Sequence, residues 1–436
     1  MKIKAPLFIL FSIGLIGCSQ NSQTNRAYQE LGRSQHFHLV EDGYIIGLEK
    51  VDKKKKGKLL SGLDAKNGYT KRFKKLDGED DYSNKLNSEF IEKTQGQQKV
   101  ILATQITENF PNLKFMYNSY EESLDGKFDY KRSFSEFDEV FNDLSNRLAS
   151  NNDYTHIIVM SMGWNNDQVE SVLRYNKILK NLKAAAIKSN YKFKPLVIGF
   201  TWPSVWFSIS DSLVAQTLGH LISYPTKAND ADEIGYTWAN LALNEKLPAA
   251  IRTAQSKGLK KENIPKVVVI GHSFGARVLS RALFSSGHLK SMQNETSVDL
   301  FFGLQGAFSV RRFIPGEGKE GSPYKNFNEL STEIILTSSI YDSANPVAAY
   351  VTGAHHVGGK QGLRTAQETG NSSVFDNKVW KKDTKSFPLP KGKVLMIDAS
   401  EIVVENDLPN YKYSAHNDIL DTEMGELLWS FIRQIP

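Results

Sequence analysis

Cysteine is nearly absent: Cys18 is the only one in 436 residues. That excludes a structural disulfide and a thiolate metal cluster. A strong excess of one charge is missing too. The formal charge of +6 is mild for this length and its basic residues are scattered, so composition gives no argument for nucleic acid. The densest basic run, Lys53 to Lys56 in VDKKKKGK, reads as a solvated turn, the alternative being weak attraction to an anionic membrane surface. The apolar run from Ala5 to Gly17 is too short to span a bilayer. There is no internal repeat, and no low-complexity tract beyond one polar tether.

What is present supports a large core. The chain is 40% hydrophobic and 11% aromatic, and its length suits one large domain or two ordinary ones. The N-terminal stretch MKIKAPLFILFSIGLIGCSQ has two lysines, then the short apolar run, then Cys18, the pattern of a secretory signal. Its Leu15-Ile16-Gly17-Cys18 resembles the bacterial lipobox. The resemblance implies a signal peptide over 1–17, cleavage before Cys18, and a lipid on its sulfur that anchors the chain to a membrane without spanning it. Localisation is then the bacterial envelope. In a Gram-negative cell, Ser19 is compatible with outer-membrane sorting.

Residues 18–35 form a polar tether. Residues 36–152 read as an N-terminal extension that contributes edge strands, with YIIGL, KVILATQI and LKFMYN as candidates. Within it, FSEFDEVFNDLSNRLAS carries Phe137, Val140, Phe141, Leu144 and Leu148 at helical spacing. From 153 onward, continuous apolar runs alternate with helical patterns. The runs are HIIVMSM, PLVIGFTW, VVVIGHS, VDLFFGL, EIILTSS and KVLMIDA. Runs without polar alternation suit strands buried on both faces, and their alternation with helices implies a mainly parallel, doubly wound α/β sheet. Residues 204–265 interrupt this rhythm with two helical stretches, one assigned to the main fold and the other to a helical cap.

The third run ends in Gly271-His272-Ser273-Phe274-Gly275 and passes straight into the helical ARVLSRALF. A bare G-x-S-x-G pattern is weak. A strand before it, a helix after it and glycines on both sides make it specific, because a nucleophile on a sharp strand-to-helix turn leaves no room for flanking side chains. With this context the sequence resembles the α/β-hydrolase fold over roughly 153–436. The fold class implied is α/β, a mainly parallel doubly wound sheet of that type with an N-terminal extension and a helical insertion.

In that family the nucleophile, acid and histidine follow in this chain order, which implies Ser273, Asp342 and His416 as the catalytic set. His416 in YSAHNDIL occupies the family's histidine position after the last strand. His288 follows the helix that leaves the elbow, and His355 and His356 in GAHHVGGKQG are the runner-up base, a weak metal site or, most simply, exposed loop histidines. Asp342 follows the strand EIILTSS; its competitor Asp398 ends KVLMIDA, taken as the edge strand. The resemblance also implies two oxyanion donors, the backbone N–H groups of Phe274 and Trp164. Met162 stands where relatives commonly carry histidine, which questions the geometry of that loop. SMGWNND together with Thr201-Trp202-Pro203-Ser204 resembles a group of bacterial esterase- and lipase-like hydrolases. Trp164, Trp202 and Trp206 are candidates for an acyl pocket or for core packing.

The implied function is a membrane-anchored serine hydrolase of carboxylic esters, lipid esters among the candidates, with no cofactor, no metal and no nucleic-acid partner. Amidase, thioesterase or acyltransferase chemistry would use the same triad. The competing class is a binding lipoprotein on a hydrolase scaffold.

Overall fold

A computed structural model describes residues 39–50, 100–103, 113–116, 130–151, 153–163, 166, 168–202, 204, 227–228, 230–289, 296–316, 320–342, 353–368, 371–404 and 414–436. Cys18, the tether, the lysine run, Trp164, Pro203 and Trp206 lie outside these residues.

The strands are β1 (Gly43–Lys50), β2 (Val100–Ala103), β3 (Leu113–Met116), β4 (His156–Ser161), β5 (Pro195–Thr201), β6 (Lys266–His272), β7 (Leu300–Leu304), β8 (Glu333–Ser338), β9 (Phe375–Val379) and β10 (Val394–Asp398). The helices used below are α1 (Tyr130–Ser150), α2 (Gln168–Lys188), α3 (Leu247–Ser256), α4 (Phe274–Leu283), α5 (Lys360–Gln367), α6 (Ser414–Asn417) and α7 (Thr422–Ile432).

Among the described residues the strands form one ten-stranded sheet in the order β2-β1-β5-β4-β6-β7-β8-β10-β9, with β3 also pairing β1. The eight strands from β1 to β9 in that order are all parallel to their neighbours, and β2 runs antiparallel to β1. This is the α/β-hydrolase type of sheet expected from the sequence. Its central strands read as unbroken apolar runs because both faces are covered. In β6, Val267 and Val269 enter one core and Val268 and Ile270 the other; in β4, Ile157 and Val159 part from Ile158 and Met160 in the same way. The first face is covered by α1, α3 and α4. The second is covered by α2 and α7, which pack on each other.

In the helix α1 the five apolar positions at helical spacing, Phe137, Val140, Phe141, Leu144 and Leu148, are all buried. The second half of the 204–265 segment is a helix of the main fold rather than a cap. Residues 230–256 run as one helix with two widened turns, Gly235–Ala239 and Ala242–Lys246, and pack along α4. Asn240 and Asn244 donate to the carbonyls of Ser285 and Ala282 at 2.7 Å each, which ties this helix to the C-terminal end of α4 and the turn after it. The rest of that segment, 205–226, lies outside the described residues.

One strand assignment is corrected. β10 is not the edge of the sheet, because β9 pairs with its outer side. β9 reads Phe-Asp-Asn-Lys-Val and is only partly buried, so it offers no apolar run to detect.

Candidate active site

β6 enters a tight turn at Ser273, whose φ of 56° and ψ of −122° lie in a region that L-residues avoid. Holding a residue there costs roughly 1–3 kcal/mol and needs surroundings that over-determine it. They are present. The Ser273 N–H donates to Leu304 O at 2.9 Å, and its carbonyl accepts from Ala276, Arg277 and Ala307 at 3.1, 3.3 and 3.0 Å. A Cβ on Gly275 would fall 2.0 Å from Ser161 O, so only glycine lets α4 start against β4. A Cβ on Gly163 would fall 2.4 Å from Ser273 Cβ and 2.9 Å from its Oγ, which fixes the loop after β4 directly on the serine.

That loop is braced at several points. Trp202 Nε1 donates to Met162 O at 2.9 Å. Asn166 Nδ2 donates to Gly163 O at 3.1 Å, and Ser204 Oγ donates to Asn166 O at 2.5 Å. The hydroxyl of buried Tyr175 donates to Phe200 O at 2.5 Å and also bonds the Met162 backbone. The motifs around Met162 and Thr201 are therefore the two halves of one brace. Trp202 is a core residue, buried edge-on to Phe274 at 6.2 Å, and not a free pocket wall. Phe274 is the first residue of α4, so its amide sits at the positive end of the helix dipole. Trp164 lies outside the described residues.

His416 and Asp342 meet, although 74 residues separate them: His416 Nδ1 lies 2.8 Å from Asp342 Oδ2. Both are buried. His416 is carried on the short α6, which is tied down on both sides. Arg174 Nη1 donates to Asn417 Oδ1 at 3.0 Å, and the Val404 N–H donates to Asp418 Oδ2 at 2.9 Å. His272, the residue before Ser273, reaches the carbonyl of His416 with Nε2 at 2.8 Å, and the two rings lie 4.9 Å apart. Because a carbonyl can only accept, His272 carries its proton on Nε2. The strand ends thus bring residue 416 beside the turn that holds Ser273.

The other sequence candidates are elsewhere. Asp398 accepts from the Ser400 N–H at 3.0 Å and from its hydroxyl, as a turn residue does. His288 is buried against Tyr236 beyond the C-terminal end of α4. His356 is not an exposed loop histidine. It is fully buried and bridges Ser309, and burial pushes its pKa down to about 3. His355, partly buried, meets Thr365 Oγ1 at 2.7 Å. No group of three potential metal ligands gathers among the described residues.

Behind the turn lies a buried ion cluster with no motif to announce it. Arg277 Nε and Nη2 donate to Asp232 Oδ2 at 3.0 and 2.6 Å, and Nη2 reaches Glu320 Oε1 at 2.6 Å. Arg312 donates to Glu320 Oε2 at 3.0 Å, to Tyr324 at 2.7 Å and to both Asp232 oxygens at 3.3 Å. Arg281 lies 3.4 Å from Asp232. Arg277 Nη1 also donates to Ala307 O at 3.3 Å, and Ala307 in turn bonds Ser273, so the cluster grips the elbow from behind.

Three buried histidines predict an acid response. Burial lowers His156 to about 4 and His356 to about 3, and holds His272 well below its ordinary value with help from neighbouring His416 and Arg174. Each is neutral when folded and takes a proton when unfolded, so its stability is complete above pH ~6.5 and is lost as pH falls toward the folded value. Three such groups give a slope of about 4 kcal/mol per pH unit between pH 6 and 4.5. Asp418, raised to about 6 mainly by burial, works in the opposite sense over the same range and offsets about one of the three protons. Urea denaturation across this range is expected to show a steep net loss of stability, shallower by about one proton in His356→Gln. A flat profile would contradict the assignment.

Residues 137–301 match the model of a family described as alpha/beta hydrolase of unknown function (DUF900). No curated protein matches the chain, and no solved structure does.

Proposed function

We propose that this α/β hydrolase is a serine hydrolase that cleaves a carboxylic ester through Ser273, His416 and Asp342. The observation that carries the reading is the 2.8 Å contact between His416 Nδ1 and Asp342 Oδ2, on a helix whose carbonyl is bonded by the residue before the strained serine. Asp342 fixes the imidazole with its proton on Nδ1, leaving Nε2 to accept. Ser273 Oγ attacks the ester carbonyl carbon and its proton passes to His416 Nε2. The tetrahedral oxyanion is met by the Phe274 amide and by the amide of Trp164. His416 then returns the proton to the departing alcohol as the C–O bond breaks. Water repeats the sequence on the acyl-serine, releasing the acid. The brace on Met162 and Gly163 supplies the rigidity that an oxyanion loop needs, since one lost donor costs about 3 kcal/mol in the barrier.

Labelling by a fluorophosphonate probe tests this. Wild type is expected to react and Ser273→Ala not to. A folded wild type that stays unlabelled from pH 6 to 9 would instead favour the binding scaffold.

The anchor is a separate part of the proposal, supported by the lipobox-like Leu15-Ile16-Gly17-Cys18. In a bacterial host the chain is expected to pellet with membranes and to incorporate labelled palmitate. Cys18→Ser should move it to the soluble fraction, because the diacyl chains supply the membrane affinity. Membrane retention of Cys18→Ser would remove the anchor from the account and leave the chemistry untouched.

A further inference from the structure

Gln305 is the residue beside the nucleophile that neither the triad nor the packing uses. The register of β6 and β7 pairs His272 with Leu304. The Ser273 N–H donates to Leu304 O and the Ala307 N–H to Ser273 O, so Gln305 stands opposite Ser273 with one extra residue bulged behind it. Neighbouring strands lie about 4.8 Å apart, which puts the two residues side by side at the carboxyl edge of the sheet. Both are left-handed without being glycine, at φ of 46° for Gln305 and 56° for Ser273.

The Gln305 backbone is accounted for, since its N–H donates to Thr337 Oγ1 at 3.2 Å. Its side chain is not. The residue is fully buried, and neither the oxygen nor the nitrogen of the carboxamide has a hydrogen-bond partner among the described residues. A leucine would fill the space without that demand, and a glycine would take the φ without strain. Two more buried polar atoms at adjacent strand ends are in the same condition: Nδ1 of His272 on β6 and Oγ of Ser161 on β4. Unmet polar groups thus stand on the strand ends to both sides of the serine, where apolar side chains would carry no such cost.

We infer that Gln305 is a specificity residue whose carboxamide binds a polar group of the substrate a few bonds from the scissile carbonyl. A carboxamide presents an acceptor oxygen and two donor hydrogens. The matching group both donates and accepts, as a hydroxyl or an amide does, and it sits on either the acyl or the alcohol portion. The substrate class is then a hydroxy- or amide-substituted ester. This rests on the hydrolase reading above and narrows its substrate.

The test compares matched esters on wild type, Gln305→Leu and the closer isostere Gln305→Met. One arm sets p-nitrophenyl 3-hydroxybutyrate against p-nitrophenyl butyrate. The other sets 2-hydroxyethyl butyrate against propyl butyrate. Wild type should favour the hydroxylated member of one arm by about 10–100-fold in kcat/KM, and both variants should bring that ratio close to one. Wild-type ratios near one in both arms overturn the inference, and this result needs no variant to fold. So does an unchanged ratio in a folded variant, which would assign Gln305 to a structural water. Fluorophosphonate labelling of the same samples separates the two levels. Labelled protein with flat ratios defeats this inference alone, whereas an unlabelled wild type defeats the hydrolase reading beneath it.

Discussion

Ser273→Ala is expected to lower kcat on any ester substrate by about 10⁶-fold while leaving the fold intact. The size follows from the division of labour. In the proposed mechanism Ser273 Oγ is the atom that attacks, and without it nothing else in the site can form the acyl intermediate. Alanine keeps the Cβ that lies against Gly163 and the four backbone bonds that hold the turn, so urea midpoints should barely move. His416→Ala should cost about as much, because an unassisted hydroxyl is a weak nucleophile, and the double variant should be no worse than either single one. Asp342→Asn should cost about 10⁴, since an amide in contact with Nδ1 favours the wrong tautomer. Steady-state hydrolysis of an active p-nitrophenyl ester measures all four. Additive losses, or Asp342→Asn at wild-type rate, would mean that the three residues do not act as a unit.

How far the site could be read from the chain depended on what each residue faces. Strands β4, β6, β7 and β8 were legible because both their faces are buried, and burial on both faces leaves an unbroken apolar run. The turn at Ser273 was legible because its glycines answer a steric demand that acts within five residues. The meeting of Asp342 and His416 was not: no local pattern links residues 74 apart, and only the chain order of a similar family suggested it. β9 escaped notice because a half-solvated edge strand has no apolar signature. The brace of Trp202, Ser204 and Asn166 was visible as two unusual motifs, but their contact crosses 38 to 40 residues and depends on β4 and β5 being neighbours. His356 misled most: it reads as an exposed loop residue, yet it is buried, as are Arg277 and Arg281 on α4.

Asp232→Ala is expected to destabilise the protein by about 3–5 kcal/mol, because it removes the anion on which Arg277, Arg281 and Arg312 converge. All four side chains are buried. Burial alone would raise the Asp232 carboxyl, but Arg277, Arg312 and Arg281 outweigh it and hold the group below its ordinary value. The sign follows: the stabilisation is present above the unfolded pKa of about 3.9 and is lost as pH falls toward the lower folded value. With alanine in place, three buried guanidinium groups lose the carboxylate they share, and their uncompensated desolvation is the cost. Against a total stability of about 5–15 kcal/mol, that loss is enough to depopulate the native state on modest warming. By contrast Glu426→Ala, which breaks the exposed pair with Lys188, should leave the urea midpoint almost unmoved. Urea denaturation at pH 7 separates the two, and a loss below about 1 kcal/mol for Asp232→Ala would show the cluster to be dispensable. The effect should also reach the chemistry. Arg277 carries the N–H that bonds Ser273 O and the Nη1 that bonds Ala307 O, so a guanidinium released from Asp232 loosens the carbonyl side of the strained turn. Folded Asp232→Ala is therefore expected to react with fluorophosphonate more slowly than wild type, which links the ion cluster behind the sheet to the hydroxyl at its edge.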